Sequence, residues 1–392
     1  MDTIMSGTAQ SAILLLAHGT PDRLSEMAEY LNKVTGGRPM PAHVVEELQH
    51  RYGEIGLRED PLPEGPPLTR WTLMQGRLLA EALHEPVYVG MRNWHPYIAD
   101  VVTRMKADGI RHAKVLCLAP QNSRTSTGLY RRALDAALRD TPGEPFTYDF
   151  IAGWADEPLL VSAFADRLWP AWAEACAKAS AAAGKPVRVP VLFTAHSVPC
   201  RTIRATTAEE AARGSAPRPG APVPAEGIQN YGEARAGDPY PVECKQTAAA
   251  IAKKLAPVGM TEADWVFAFQ SQGIAGAPWL GPSVEDTFKA LAEAGHTAVV
   301  MQPVGFLCDH VEILYDIDIN FRDVGREMGL EVTRAESLND SPILVRALEH
   351  VLATRTAEDV PAPIAAWTTP AEVRNAPLPE PAGEPAGELA TA

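Results

Sequence analysis

The stretch AVVMQPVGFLCDHVEILYDIDINF, residues 298–321, decides the fold of this chain. Its apolar beginning predicts a strand buried on both faces of a parallel sheet, and Gly305 ends that strand. Asp309, Glu312 and Asp316 follow at spacings of three and four residues, which predicts that they share one face of a helix. Acidic side chains just beyond a strand's carboxyl end lie where open α/β sheets bind ligands. The group therefore indicates a metal or proton-transfer site, with a solvated acidic helix face as the simpler interpretation.

The order of strand, turn and helix recurs through the rest of the chain. Apolar runs bounded by Gly, Pro, Asn or Ser predict strands, and amphipathic or Ala-rich segments between them predict helices. This alternation is typical of a doubly wound parallel sheet, and it starts again in the second half of the chain. Besides the strand at 298, strands are predicted at 12–17, 87–90, 113–118, 148–152, 190–195, 265–270 and 331–335.

The chain of 392 residues is too long for one ordinary core, so we divide it into parts. Residues 1–150 form an N-terminal lobe, and 151–330 form a C-terminal lobe with a surface insertion at 204–236. Residues 331–355 supply a last strand and helix, which we expect to return to the N-terminal lobe. Residues 356–392 are rich in Pro, Ala, Glu and Thr, which predicts a disordered tail.

Composition and charge exclude several classes of protein. The net charge of −14 argues against nucleic acid and an anionic membrane surface as partners. The five cysteines are scattered without a C-x-x-C pair, which favours a reducing cytoplasm and offers no zinc or iron–sulfur spacing. No segment has the length of a signal peptide core or a membrane span. We therefore expect a cytoplasmic protein with no stable membrane anchor.

Histidines follow several of the predicted strands. His18, His95 and His196 stand at strand ends, which in a parallel architecture can converge with the acidic group on one crevice. Burial after an apolar run should lower the pKa of His196 and keep its imidazole neutral. Glu312 facing it across a cleft would complete an acid–base or metal pair, although a structural histidine is the more common case. Phosphate-binding glycine loops and a G-x-S-x-G serine elbow are missing from the sequence, so nucleotide binding and serine hydrolysis have no support.

A glycine-rich aromatic loop, FQSQGIAGAPWLGP at residues 269–282, follows another strand. Such a loop can form the wall of a site for a flat apolar ligand, with Trp279 as a stacking surface. The alternative is a structural loop with a packed tryptophan, and composition alone favours that alternative.

Several motifs, taken together and in order, resemble the ferrochelatase family. The resemblance covers residues 13–352, apart from the insertion, and this many motifs in one order are highly specific. The motifs are GTP at 19–21, RY at 51–52, GMRNWHP at 90–96, AP at 119–120, TAHSVP at 194–199, QSQG at 270–273, PWLGP at 278–282, PVGFLCDHVE at 303–312 and LYD at 314–316.

The resemblance implies two Rossmann-like lobes of the chelatase fold with a porphyrin cleft between them. It implies an enzyme, a metal-inserting lyase, that places ferrous iron in a porphyrin during haem biosynthesis. His196 and Glu312 would be catalytic, and Asp316 would join them in contacting the metal. Fe²⁺ is then a substrate and no resident cofactor is expected. The C-terminal cysteines of cluster-bearing family members are missing, so no iron–sulfur cluster is expected either.

Within the family, the chain looks most like the soluble coproporphyrin III type. The RYGEIG context at 51–56, the QSQG loop and the lack of an apolar lip carry this likeness. Arg51, Tyr52 and Tyr130 match substrate-binding positions, and Arg51 would pair with a propionate carboxylate. His18 stands where those relatives often have a tyrosine that can ligate the product iron. We expect these residues and Trp279 to bind porphyrin, in a monomer.

Two other functions stay open from the sequence. One is the same chemistry on protoporphyrin IX, and the other is a porphyrin or haem carrier that inserts no metal. A carrier needs an axial ligand but no proton acceptor opposite it, so the presence of both His196 and Glu312 favours the enzyme. A sugar- or nucleotide-binding protein of the same architecture has support from the fold class alone.

Overall fold

Two four-stranded parallel sheets form the framework of the protein. The structure is a computed structural model that describes residues 11–60, 63–203, 237–273 and 279–356. The first sheet has the strand order β2-β1-β3-β4, and the second has the order β6-β5-β7-β8. The strands are β1 Ser11–Ala17, β2 Val87–Met91, β3 His112–Cys117, β4 Thr147–Ile151, β5 Val191–His196, β6 Trp265–Gln270, β7 Ala298–Pro303 and β8 Glu331–Arg334.

Helices connect the parallel strands, as crossover connections require. A π-helix spans Asp316–Phe321, and short 3₁₀ turns occur at Leu24–Glu26, Ala256–Val258 and Glu262–Asp264. The α-helices are α1 Met27–Val34, α2 Ala42–Glu54, α3 Pro67–Leu83, α4 Ile98–Ala107, α5 Thr127–Asp140, α6 Pro158–Ala183, α7 Cys200–Ile203, α8 Tyr240–Lys254, α9 Val284–Glu293, α10 Val311–Leu314, α11 Arg322–Glu327 and α12 Pro342–Thr354.

The central strands are apolar because helices cover both faces of each sheet. Every residue of β1 after the first is buried. Every residue of β5 before the last, His196, is buried as well. Continuous burial is what a parallel sheet demands of its inner strands. In the second sheet, His196 at the end of β5 pairs with Gln270 at the end of β6. The predicted α/β architecture with two parallel sheets is confirmed.

The predicted boundary at residue 150 falls within one residue of the end of the first sheet, whose edge strand β4 runs to Ile151 and aligns Thr147 with His112. The predicted return of the last strand to the N-terminal lobe is wrong. The strand β8 does not return to the N-terminal lobe, because Glu331 aligns with Ala298 at the edge of the second sheet. The strand β8 pairs with the apolar strand β7, and the short connection through α11 keeps β8 in the second sheet. The helix α12 does pack against α3 of the first lobe, as well as against α6.

One hydrophobic core joins the two lobes. Leu15 and Leu116 of the first sheet belong to the same cluster of buried side chains as Phe193 and Val300 of the second. The long helix α6 contributes Phe164 to this cluster, which also includes residues of α3, α8 and α12. The lobes are therefore held by shared apolar burial.

The predicted insertion at 204–236 and the predicted tail beyond residue 356 lie outside the described residues. The described chain resumes at residue 237, just before α8.

A buried glutamate of α8 ties the second lobe to a loop of the first. The backbone N–H of Asn122 donates to Glu243 at 2.6 Å, and the other carboxylate oxygen has no hydrogen-bond partner among the described residues. Burial raises the pKa of Glu243 to about 8, helped by the nearby carboxylates of Asp238 and Asp156 and opposed by Arg355. At neutral pH Glu243 is therefore largely protonated.

This raised pKa predicts a pH-dependent stability. The folded state holds a proton that the unfolded state releases near pH 4.3, so raising the pH favours unfolding by up to about 1.4 kcal/mol per pH unit between those two pKa values. Glu243→Gln keeps an acceptor for the Asn122 N–H and removes the titration. We expect this variant to gain stability over the wild type between pH 5 and pH 8 in chemical unfolding experiments. Glu293→Gln, at an exposed site, is the control; equal pH profiles of Glu243→Gln and wild type would contradict the prediction.

Candidate active site

A cavity of about 550 Å³ opens where the carboxyl ends of both sheets meet. This volume is within the range of small-molecule and cofactor sites. Its walls combine a mostly apolar surface with a few polar groups from both lobes, including His18, Tyr130, His196 and Glu312. Gly305, which follows β7, passes so close to β5 that an added Cβ would lie 3.2 Å from Ala195 Cβ. A small residue is therefore needed where this wall turns away from the sheet.

His196 and Glu312 are in direct contact in the wall of the cavity. The Nε2 atom of His196 lies 3.0 Å from Oε1 of Glu312. His196 is the last residue of β5, and Glu312 is in the four-residue helix α10 that follows β7. The two predicted catalytic residues are thus brought together by neighbouring strands of one sheet.

The protonation of this pair differs from what the sequence indicated. Burial lowers the pKa of His196, but the carboxylate of Glu312 outweighs burial and raises that pKa above its ordinary value. Burial likewise opposes the charge of Glu312, yet His196 and His310 hold the pKa of that carboxyl well below its ordinary value. The expectation that burial alone keeps His196 neutral is wrong, because it left out the contact with Glu312. The contact with Glu312 therefore makes His196 easier to protonate than a free histidine.

Two further side chains fix Glu312. Nε2 of His310 lies 3.2 Å from Oε2 of Glu312, while Nδ1 of His310 lies 3.0 Å from the carbonyl oxygen of Cys308. The Gln270 side chain donates to the backbone carbonyl of Glu312 at 2.7 Å and accepts from Thr194 at 2.6 Å. Both carboxylate oxygens of Glu312 therefore face a histidine.

The other two acidic residues of the stretch go in different directions. Asp316 lines the cavity, accepts a hydrogen bond from Ser271 and lies 3.8 Å from Arg51. Burial, together with Glu312, raises its pKa against the effect of Ser271. Asp309 does not share the helix face, because it precedes α10 and points toward Arg334, 3.5 Å away. The predicted common face for all three carboxylates is therefore wrong for Asp309.

His18, which directly follows β1 of the first lobe, also lines the cavity. Its Nε2 atom is 3.1 Å from the hydroxyl of Tyr30, and the Asn93 side-chain amide lies 3.1–3.2 Å from the two ring nitrogens. Burial lowers the pKa of His18 to about 4 against the attraction of Glu312, so the ring is neutral at pH 7. A neutral imidazole can bind a metal, but only after its lone pair leaves these partners.

The other three predicted substrate contacts of the first lobe also line the cavity. Arg51 is half-buried and pairs with Glu47 at 2.5 Å. Tyr52 and Tyr130 are buried, which raises the pKa of Tyr52 to about 12 and that of Tyr130 still further. Among the described residues that line the cavity, Arg51 is the one lysine or arginine.

Trp279 is not among the lining residues. It forms an isolated backbone bridge with Pro199, and its ring lies against Gly273, where an added Cβ would be 2.7 Å from the indole. Gly273 itself lines the cavity. Trp279 therefore stands behind the rim of the cavity, while residues 274–278 of this loop lie outside the described part of the chain.

Three cavity residues had no role in the sequence-based site. Tyr30 contacts His18, Tyr240 donates to the backbone oxygen of His196 at 2.8 Å, and His310 contacts Glu312. His310 was adjacent to the acidic stretch and was visible as a candidate. Tyr30 and Tyr240 stand outside the motifs and had no local signal.

Among the described residues, no group of three or more His, Cys, Asp or Glu side chains is arranged to hold a metal ion. His196 and Glu312 make a contacting pair, and Asp316 is engaged with Ser271 and Arg51. In the same part of the chain, the helices are all too short or too polar to cross a membrane.

Comparisons with known proteins identify the family of this chain. The family model described as Ferrochelatase matches residues 10–356. A ferrochelatase of Acidobacterium capsulatum is 53% identical over 342 residues, which are 87% of this chain and 93% of that protein. A coproporphyrin III ferrochelatase of Geobacillus kaustophilus is 31% identical over 357 residues, with 89% and 97% covered. Among solved structures, SirB from Bacillus subtilis has a TM-score of 0.41 at 11% identity, covering 88% of this chain and 96% of SirB.

This chain belongs to the ferrochelatase family. It is therefore a metal-insertion enzyme, and the family places its reaction, the insertion of iron into a porphyrin, in haem synthesis.

Proposed function

We propose that this protein inserts Fe²⁺ into coproporphyrin III, with His196 as proton acceptor and Glu312 as its charge partner. The observation that carries the proposal is the 3.0 Å contact of His196 with Glu312 in the wall of the cavity. Iron is a substrate, and the reaction needs no resident cofactor. We also propose that the protein is monomeric and cytoplasmic.

The reaction sets two demands on the site. Two pyrrole protons must leave the ring, and the nitrogen lone pairs they vacate must bind Fe²⁺. The His196 imidazole accepts one proton at a time and passes it to solvent, and the carboxylate of Glu312 stabilises the imidazolium that forms. Neutral imidazole and carboxylate also suit Fe²⁺ transiently, and two contacts are few enough to release it. Asp316, four residues after Glu312, also lines the cavity and adds a second carboxylate to the path by which iron approaches.

The part of the lining that comes from the first lobe suits a porphyrin ring. Tyr52, Tyr130 and His18 line the cavity with aromatic side chains, and Arg51 supplies a cation for a carboxylate. Burial keeps the His18 imidazole neutral, so it can become an axial ligand to the iron of the product once a ring nitrogen is released by Tyr30 and Asn93. Trp279 would act through Gly273, by supporting the rim against which the ring lies.

The choice of coproporphyrin over protoporphyrin IX depends on carboxylates. Coproporphyrin III carries propionates at two positions where protoporphyrin IX carries vinyl groups. Arg51 and the hydroxyls of Ser123, Thr125 and Ser126 line the cavity and can bind carboxylates. The Geobacillus kaustophilus relative has coproporphyrin III in its name, and the more similar Acidobacterium capsulatum relative names no porphyrin, so protoporphyrin IX is the alternative to test.

Anaerobic Fe²⁺ insertion, followed by porphyrin absorbance, tests the proposal. We expect fast loss of free coproporphyrin III and slow loss of protoporphyrin IX. Arg51→Gln should raise the KM for coproporphyrin III by roughly tenfold, the loss expected of one charge-assisted contact, with a smaller rise for protoporphyrin IX. Arg77→Gln is the matched control, because Arg77 forms the same kind of i,i+4 pair with Glu81 on the surface of α3.

Three outcomes would change the proposal. A preference for protoporphyrin IX keeps the chemistry and overturns the substrate. Binding of either ring without insertion would make the protein a carrier. Equal KM values for Arg51→Gln and Arg77→Gln would remove Arg51 from the porphyrin site.

A further inference from the structure

The two carboxylates of the site are carried by an irregular segment. Glu312 is in the four-residue helix α10, and Asp316 begins the π-helix, in which the N–H of Asn320 donates to the carbonyl of Tyr315 at 2.9 Å. So short a helix gains little from its own hydrogen bonds, and a π-helix is a rare form that is frequent at functional sites. Glu312 and Asp316 also repel each other. The segment needs support from outside.

Arg334, at the end of β8, supplies a cation behind this segment. Its Nε atom lies 2.9 Å from Oδ1 of Asp318, and its Nη2 atom lies 2.7 Å from Oδ2, a bidentate pair. Its Nη1 atom lies 3.5 Å from Oδ1 of Asp309. The side chain of Arg334 is 11% exposed, so these contacts are only weakly screened by water. One guanidinium thus holds two carboxylates that flank Glu312 and Asp316 on the chain.

The loop after β8 completes the support at the Asp309 end. Ser337 Oγ donates to Oδ1 of Asp309 at 2.7 Å, and Asn339 Nδ2 donates to Oδ2 at 3.0 Å. The N–H of Asp309 donates in turn to the Asn339 side chain at 2.9 Å. Arg334 Nη1 also donates to Ser337 at 3.2 Å, which joins the loop to the guanidinium. Asp309 is therefore an anchor of the backbone and not part of the acidic group in the cavity.

We propose that Arg334 is a positioning residue for metal insertion, which holds Glu312 and Asp316 in register with His196. Arg334 is not among the described residues that line the cavity, so it acts through the segment and not on the substrate. The catalytic consequence rests on the proposed function, whereas the positioning itself does not.

A second arginine provides a matched control. Arg322 Nη2 lies 3.7 Å from the same carboxylate of Asp318, but its side chain is 47% exposed and it makes no bidentate pair with that residue. Arg334→Gln should lower kcat for Fe²⁺ insertion by roughly 10- to 100-fold with the porphyrin KM changed less than about twofold, because the reacting groups are misplaced while the cavity stays intact. Arg322→Gln should leave both constants within about twofold of wild type. Arg334→Lys, which keeps the charge but loses the fork, should give an intermediate kcat.

Hydrogen exchange separates this inference from the proposed function. In folded Arg334→Gln, the amides of residues 310–321 should exchange faster than in wild type, and in Arg322→Gln they should not. Should Arg334→Gln not fold, Arg334→Lys serves for the same two measurements. Unchanged kcat and unchanged exchange in the folded Arg334 variant overturn the inference, as does an equal effect in Arg322→Gln. If the wild-type protein inserts no metal, the proposed function fails and the exchange result alone decides the positioning role.

Discussion

His196→Ala should bind porphyrin and fail to insert iron. The variant loses the imidazole that lies 3.0 Å from Glu312 and leaves that carboxylate with His310 as its histidine contact. Loss of a positioned proton acceptor typically costs about 10²–10⁴-fold in rate, and the loss of a metal contact adds to it. Porphyrin binding should change little, because the ring is held mainly by the walls of the cavity. Anaerobic insertion assays and titration of porphyrin absorbance measure the two properties separately.

A surface histidine provides the control for this variant. His112, which lies 3.2 Å from Asp149 on β4, is far from the cavity walls, so His112→Ala should insert iron at the wild-type rate. If His196→Ala retained a rate within about tenfold of wild type, another group would have to accept the pyrrole protons.

Glu312→Gln should lower the insertion rate by about 10²–10⁴-fold and move its pH dependence. In the wild type, Glu312 raises the pKa of His196, so activity should increase as the pH rises through a midpoint above 6.5 and the imidazole becomes a free acceptor. The amide carries no charge, so the pKa of His196 loses the main influence that raises it and falls toward lower values. The acid limb of the pH–rate profile should therefore move to lower pH in the variant.

Asp316→Asn is the informative comparison for Glu312→Gln. It removes the same charge from the same cavity, but Asp316 contacts Ser271 and Arg51 and not His196. We expect a smaller loss of rate and an acid limb close to that of wild type. Equal pH profiles for Glu312→Gln and wild type would show that Glu312 does not set the protonation of His196.

The sheets could be predicted from the sequence because their signal is local. The apolar runs at β1, β5 and β7 are buried as continuous strands, which is why simple periodicity found them. The position of β8 could not be found in this way. The sequence of a four-residue strand does not indicate which strand it pairs with, and the pairing of β8 with β7 depends on tertiary packing.

The site was predictable where the residues stood at strand ends and not where contacts crossed the chain. His196 and Glu312 follow strands of one sheet, so their meeting followed from the topology. The direction of Asp309 depended on Arg334, which is distant in sequence, and an i, i+3 spacing could not show it. The π-helix could not be predicted either, because residues 309–321 were compared only with the periodicity of a regular α-helix. The raised pKa of His196 needed the actual distance to Glu312, because burial and charge act on it with opposite signs.

The core that both sheets share limits how a rigid, flat ring can reach the cavity. Pulling the lobes apart would bring side chains such as Leu116 and Phe193 into water, at about 25 cal/mol for each Å² of apolar surface. Hinge opening, the usual motion of two-lobed enzymes, is therefore disfavoured here. We therefore expect porphyrin to enter through the mouth of the cavity and not by separation of the two lobes. For the same reason, neither lobe should be obtainable as a stable protein by itself.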